Sequence, residues 1–447
     1  MQTHPLIGIG FGPSNIALAI ALKERETAAR AMHPVFIEKQ PRFAWHRDML
    51  LEQAHMQVSF LKDLATLRNP TSRFTFINYL HEKGRLQDFI NLKTFFPSRH
   101  EFNDYLAWAA SKFEDRCVYG QEVIEVLPEK RDGKVELLRV RSRDAAGNVH
   151  ERLGQNLVMS IGGTPSIPEQ FKPLRGDARV FHSSAYLRSI AEHARPLRIA
   201  VVGAGQSAAE IFMDLHGRYA TAEIDLVMRA RSIRPSDDSP FVNEIFNADF
   251  VDHVYSRPHD ERGALLREFW HTNYACPDLE LIESIFKVFY EQKVVGDTRH
   301  RFLRRHEVQD VRAAGDGIHL GLRDLNSGID HASRYDVVVL ATGYAREHHK
   351  TLLDPLAPYL GDFSVSRDYQ VHTTPDFRPA IFLQGACEGS HGLSDTLLSV
   401  TSVRTGEIGE ALLAAQAQRP DVARTEQLAL QDRKIAQGMM AQGSPMP

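Results

Sequence analysis

The sequence predicts an α/β fold: two dinucleotide-binding Rossmann-like domains, with a small, mainly helical insert in the second. Three observations carry this. Residues 6–15 read LIGIGFGPSN, an apolar run that breaks into alternating glycines and then turns helical. A second such break, IAVVGAGQSAAE, begins at Ile199. From about Val242 to Val295, in stretches such as ERGALLREFW and LELIESIFKVFYEQKV, the apolar residues recur at helical spacing. A chain of 447 residues is too long for one ordinary core, so two or three domains are expected.

Composition narrows the function classes. Hydrophobic residues at 43% and charged residues at 25% are the proportions of a soluble globular protein. The 53 basic and 57 acidic residues give a net charge of −4, which offers no electrostatic footprint for nucleic acid or an anionic membrane surface. Small-molecule chemistry is the better expectation. Cys117, Cys276 and Cys387 are the three cysteines, too far apart for metal-ligand spacing and odd in number for a disulfide framework. No metal is expected, and a reducing compartment fits. MQTHPLIGIG lacks the regions of a signal peptide, and IALAIAL from Ile16 is too short to span a bilayer. A cytoplasmic protein is expected.

Each element follows from its local pattern. LIGIG reads as a strand, FGPSNIALAIALKE as a turn and helix, and PVFIEK, ending at Lys39, as a second strand, the start of a βαβ unit. LVMSIGG (157–163) reads as a closing strand that runs into the proline-rich TPSIP linker. The pattern returns as LRIAVVG, AGQSAAEIFMDLHGRYA and IDLVMRA, and VVVLATGY (337–344) closes the second unit. AIFLQG adds a strand, a helix is expected from Leu393, and the Ala- and Gln-rich end, finishing QGSPMP, is expected to be partly helical with a frayed end. The first domain would then comprise residues 1–164 and 345–415, the second 165–241 and 297–344, the insert 242–296 and the tail 416–447.

Gly10, Gly12 and Asn15 stand where a dinucleotide fingerprint has its three small residues, and Gly203, Gly205 and Ala208 match it more closely. Such glycines tighten the turn and let a pyrophosphate approach the backbone at a helix N-terminus. The residue ending each second strand separates the two loops. Glu38 suits ribose hydroxyls and repels a 2′-phosphate, whereas Arg229 and Arg231 suit the extra phosphate of NADP. The first loop therefore reads as an FAD site and the second as an NADPH site, although Arg229 alone also reads as a solvated surface charge. Two electron carriers need separate cradles so that the nicotinamide can meet the flavin. No CxxC motif is present, which disfavours a dithiol-type reductase.

AHMQVSFLKDLATLRNPTSRFTFINYL (54–80) and INLKTFFPSRHEFNDYL, with FGPSN, FAWH at 43–46, GAGQSA, PSDDSPFVNEIFN and LATGY, resemble the N-hydroxylating flavin monooxygenases of siderophore pathways. The similarity covers nearly the whole chain to about residue 410 and is closest to the L-ornithine N5-monooxygenases; lysine N6-hydroxylases are relatives. The resemblance implies that NADPH reduces FAD, that reduced flavin takes O2 to a C4a-hydroperoxide, and that the ornithine side-chain amine attacks its distal oxygen, giving N5-hydroxyornithine. It also implies a homo-oligomer, commonly a tetramer.

Site residues carry over one by one, as the resemblance implies. Lys62 matches the lysine that binds the substrate carboxylate; taken alone it reads as a snorkelling surface side chain. Asn243 and Asn273 match the asparagines that hold substrate, and otherwise read as turn or cap residues. A neutral amide suits the task, because a carboxylate there would favour the unreactive ammonium. Ser399, or Ser394 in its stead, is a further substrate contact. Gln57 matches a glutamine at the reactive face of the flavin and, with Asn273, is the candidate catalytic pair. Pro13, Lys39, Trp45, His46, Met56 and Leu397 join the FAD contacts, and Gln206, Ser207 and Tyr274 join Arg229 at NADPH. Three rivals remain: lysine N6-hydroxylation; a non-catalytic flavin- and NADP-binding redox sensor, which would not need Lys62, Asn243 and Asn273; and Baeyer–Villiger chemistry, whose arginine-rich fingerprint is missing.

Overall fold

The structure is a computed structural model that describes residues 2–26, 32–191 and 197–417; the tail expected from 416 therefore lies almost wholly outside the described residues. Two five-stranded parallel sheets organise it. The first runs Ala380–Leu383, Asn156–Met159, Ile7–Ile9, Val35–Glu38, Cys117–Tyr119, and the second Val180–His182, Val337–Leu340, Arg198–Val202, Glu223–Met228, His300–Arg304. In both, the strand entering a glycine loop lies at the centre, its βαβ partner beside it and the unit's closing strand on the other side. These central strands, IGI and, after Arg198, IAVV, are apolar because helices and loops cover both faces.

The duplication extends beyond the two glycine loops. Immediately before each closing strand comes a three-stranded antiparallel meander: residues 121–154 in the first unit and 306–335 in the second. Two short segments, Thr164–Pro165 and Tyr344–Ala345, pair antiparallel and carry the chain out of the first unit and back.

Helix α1 (Pro13–Glu24) follows the first glycine loop and is buried from Asn15 to Leu22 between the sheet and the helix Thr401–Ala417, so it can be apolar all round. An aromatic core that includes Phe60, Phe76, Tyr79, Phe102 and Tyr105 packs the segment 56–113 against the same unit, and α2 (Arg99–Ser111) supplies part of it. Helix α3 (Gln206–Arg218) follows the second loop. The insert is helical as expected, and its last helix, α4 (Leu279–Val294), packs back on α3 through Ile285.

One expectation is corrected. The helix expected from Leu393 begins at Thr401 instead: residues 393–396 form a single 3-10 turn and Leu397 is extended at φ −110°. The Asp395 carboxylate accepts from the Cys387 amide at 2.7 Å and from the Arg404 guanidinium at 3.1 Å, so it ties the segment to its surroundings and not to a local helix. Among the described residues no helix is long and apolar enough to cross a membrane, and no group of three or more His, Cys, Asp or Glu could hold a metal ion.

Candidate active site

The first glycine loop is built for close approach. Gly10 lies at φ +83°, and a Cβ there would fall 2.4 Å from the Ser160 carbonyl oxygen, so only glycine fits. Gly12 is the N-cap of α1 with open space where a Cβ would stand, and Pro13 opens the helix. Asn15, the departure from the fingerprint, is fully buried and braces the loop. Its amide nitrogen donates to the Gly10 carbonyl at 2.7 Å, while its oxygen accepts from Ser160 Oγ at 3.0 Å and Gln384 Nε2 at 3.2 Å. The Glu38 carboxylate ends its strand and accepts from the Phe11 and Gln40 amides at 2.8 and 2.9 Å; these bonds shape the loop and leave lone pairs for a ribose. Lys39 beside it is exposed.

Trp45 packs against Phe102 and edge-on to His46. His46, at φ 49°, keeps solvent exposure although protein crowds around it, and this desolvation, then the charges of Arg99 and Arg346, pushes its imidazole down to about 4. Met56 is buried and Gln57 next to it is exposed.

In the second loop a Cβ on Gly203 would fall 2.3 Å from the Ala341 carbonyl oxygen, and Gly205 caps α3, whose first two residues are Gln206 and Ser207. Ala275 lies against Gly205, so the segment 273–278 leans on this loop. Arg229 follows the second strand with its side chain 78% exposed and the Glu307 carboxylate at 3.8 Å; Arg231 is also exposed.

Lys62 is half-buried and burial lowers its ammonium below the usual range, yet no carboxylate lies within ion-pairing distance among the described residues. Asn243 donates to the Asp238 carbonyl at 2.7 Å, which leaves its oxygen free, and the Asn273 amide makes no side-chain bond with the described residues. Ser399 is 2% exposed and its hydroxyl has no hydrogen-bond partner among the described residues, so an unmet polar atom marks this position; Ser394 is equally buried. Leu397 is half-buried between them.

The structure joins several of these residues. The turn carrying Asn243 packs on the turn 393–396. Tyr274 stacks on Trp270 and hydrogen-bonds Glu388, which brings the insert onto the first unit; burial and this carboxylate push the Tyr274 phenol up to about 12, and burial raises Glu388. Gln57 and Gln206, one from each unit, both bind Asp278. Arg229 and Lys39 stand apart at the ends of their strands. Sequence reasoning missed Asp278, Glu210, Arg99 and Glu388. Arg99 lies in INLKTFFPSRHEFNDYL, but its partner Glu210 sits on another unit's helix, and Asp278 before an apolar helix reads as a simple cap.

Comparison with known proteins agrees with this architecture. The family of L-lysine 6-monooxygenase/L-ornithine 5-monooxygenase matches residues 2–346. An L-ornithine N(5)-monooxygenase from Pseudomonas aeruginosa is 52% identical over 413 residues, covering 92% of this chain and 93% of the relative. Among solved structures, the ornithine hydroxylase PvdA of Pseudomonas aeruginosa superposes with a TM-score of 0.90 at 51% identity, covering 93% of this chain and all of that one. The ornithine N-hydroxylase of Kutzneria sp. 744, described with reduced FAD, NADP+ and L-ornithine, gives 0.87 at 36% identity over 93% of this chain and all of that one. A chain with this duplicated fold, these two glycine loops and this extent of identity belongs to the L-lysine 6-monooxygenase/L-ornithine 5-monooxygenase family.

Proposed function

We propose that this chain is an FAD- and NADPH-dependent monooxygenase that uses O2 to hydroxylate the side-chain amine of L-ornithine, giving N5-hydroxyornithine for hydroxamate siderophore or related natural-product assembly. Bound FAD supplies the oxygen chemistry and NADPH the electrons; the first loop, tight at Gly10 and open at Gly12, and the second, with Arg229 and Arg231 at its rim, fit those groups. The observation that carries the reading is Lys62, a half-buried cation without a carboxylate partner among the described residues. Such a charge calls for an anion, and an α-carboxylate provides one. The remaining candidate contacts, Asn243, Asn273 and Ser399, are neutral. They can orient an amine without stabilising its ammonium form, and the amine needs its lone pair to react. Holding the amine in place is what these residues contribute.

A second reading, lysine N6-hydroxylation, is favoured by the family description itself, which spans both amino acids. One methylene is worth about 1–3 kcal/mol in a pocket. Turnover with L-ornithine and L-lysine in parallel, scoring hydroxylated product by mass spectrometry against peroxide, decides between them. Ornithine is expected to gain oxygen; oxygen on lysine alone would overturn the assignment. A homo-oligomer is supported by the outer face of α4, where Phe286, Tyr290 and Val294 are exposed in a line four residues apart.

A further inference from the structure

Asp278 opens α4 as its N-cap, yet its side chain caps nothing in that helix. An aspartate there ordinarily accepts from the second or third amide of its own helix, a bond worth about 1 kcal/mol. Here Oδ1 accepts from Gln57 Nε2 at 2.8 Å and Oδ2 from Gln206 Nε2 at 2.9 Å, while the Asp278 amide donates to Gln206 Oε1 at 3.0 Å. Gln206 Nε2 has a second hydrogen, and it donates to Glu210 Oε1 at 2.9 Å. Glu210 in turn holds Arg99 by two bonds, 2.7 and 3.0 Å, and Arg99 also donates to the Met49 carbonyl at 2.9 Å. The circuit closes through backbone: Arg99 N donates to Ala54 O at 2.8 Å, Met56 N to Pro97 O at 2.9 Å, and His55 pairs with Ser98, one residue from Arg99 and two from Gln57. A polar ring thus crosses the seam twice, so neither unit can pivot about a single bond.

A carboxylate only accepts, so both glutamines must turn their NH2 groups to Asp278. That fixes the Gln57 amide with its oxygen as the polar atom left free beside the cofactor cleft. We propose that Asp278 is a positioning residue: it sets the polarity of the Gln57 amide and registers the NADPH-side loop against the flavin-side loop for hydride transfer. The inference rests on the proposed FAD and NADPH assignments of the two loops.

The test compares Asp278→Ala and Asp278→Asn holoenzymes with the parent in three measurements: NADP+ affinity by calorimetry, the anaerobic rate constant of flavin reduction at saturating NADPH, and the fraction of consumed NADPH that ends as peroxide. For Asp278→Ala the rate constant is expected to fall about 10- to 100-fold and peroxide to rise, because a misplacement of about 1 Å has that effect, while NADP+ affinity changes by less than about 3-fold, since the adenylate cradle and Arg229 are untouched. Asp278→Asn, an equally good N-cap, keeps the helix and is expected to fall between the two, because its amide cannot accept on both sides. Parent-like reduction and parent-like peroxide in Asp278→Ala would overturn the proposal, as would a loss confined to NADP+ affinity. If Asp278→Ala does not retain flavin, Asp278→Asn, which keeps the side-chain shape but can no longer accept from both glutamines, carries the same direction of change and the same refutation. A parent enzyme that binds flavin but is not reduced by NADPH would sink the cofactor assignment instead, a distinguishable result.

Discussion

Buried histidines make the fold sensitive to mild acid, and three of them carry the argument; a fourth, His349, is also lowered by burial and acts in the same sense. His182, His300 and His391 are 6%, 3% and 0% exposed, and burial pushes each imidazole down to about 4. Their hydrogen bonds agree on one tautomer. In His182, Nε2 donates to the Gly343 carbonyl while Nδ1 accepts from the Ser184 amide. In His300, Nδ1 accepts from the Ile224 amide, so Nε2 carries the hydrogen and donates to His216 Nδ1. In His391, Nε2 donates to the Arg367 carbonyl and Nδ1 accepts from Ser390 Oγ. A proton on Nδ1 would remove an acceptor from each. Because the folded values lie below the unfolded 6.5, the unfolded chain binds more protons across that window; the stabilisation is fully present above pH 6.5 and is lost as pH falls towards 4. At pH 5.5 each histidine forfeits about 1.4 kcal/mol. His182 and His300 lie in the second unit, so that unit loses about 3 kcal/mol, or about 6–12 °C in Tm. Asp63 and Glu388 are raised by burial and act in the opposite sense, so the histidine contribution is best read by difference. Thermal unfolding of the holoenzyme at pH 7.5 and 5.5 is the assay, with His300→Gln, which can accept and donate as neutral histidine does, as the comparison. The variant is expected to lose less Tm between the two pH values; identical losses, or a flat Tm, would refute the reasoning.

Lys62→Ala should weaken ornithine binding by about 10- to 100-fold, the scale of a lost charge-assisted contact, with NADPH-driven flavin reduction retained; steady-state KM and anaerobic reduction check both halves. Arg229→Ala should raise the KM for NADPH and leave that for ornithine alone, and unchanged NADPH kinetics would show the arginine to be a solvated charge. Gly10→Ala, which places a methyl group 2.4 Å from the Ser160 oxygen at φ +83°, should cost at least about 1–2 kcal/mol from the backbone alone and yield protein with little bound FAD, measured by its absorbance after purification.

What the sequence made legible is local in origin. A glycine that must sit at positive φ, an apolar strand before it and an apolar helix after it all declare themselves within about fifteen residues, and both loops stand where that pattern places them. The two meanders are not legible in the sequence: in QEVIEVLPEKR a register shift between Val123 and Glu125 breaks the alternation, so its buried residues, Val123 and Val126, fall three apart, and its other positions are half-exposed or exposed. The late helix begins later than its local pattern predicts for a related reason: Asp395 is held by Arg404 and the Cys387 amide, and nothing in LSDTLLSV announces partners across the fold. Lys62 shows the limit most clearly. Its neighbours in sequence cannot tell a snorkelling lysine from a half-buried cation; that it is half-buried with no carboxylate at ion-pairing distance among the described residues shows only in three dimensions.

The seam between the units explains why residues such as Asp278 and Arg99 escape a sequence reading. Each nucleotide loop is specified by its own strand and helix, so duplicating the unit duplicates the loop, but nothing within either unit fixes how the two face each other. Apolar adhesion is present, since Met49, Leu51 and Ala54 of the first unit are buried in the core of the second, and such burial is non-directional. A buried ion pair such as Arg99–Glu210 is weak grounds for added stability, because desolvation offsets most of its attraction. Direction is what it supplies. Two-point guanidinium–carboxylate geometry at one end of the ring and a twice-accepting aspartate at the other define an orientation that apolar contacts leave free. Facing loops must be oriented for a hydride to pass between them, so the polar seam belongs to the chemistry as much as the loops do.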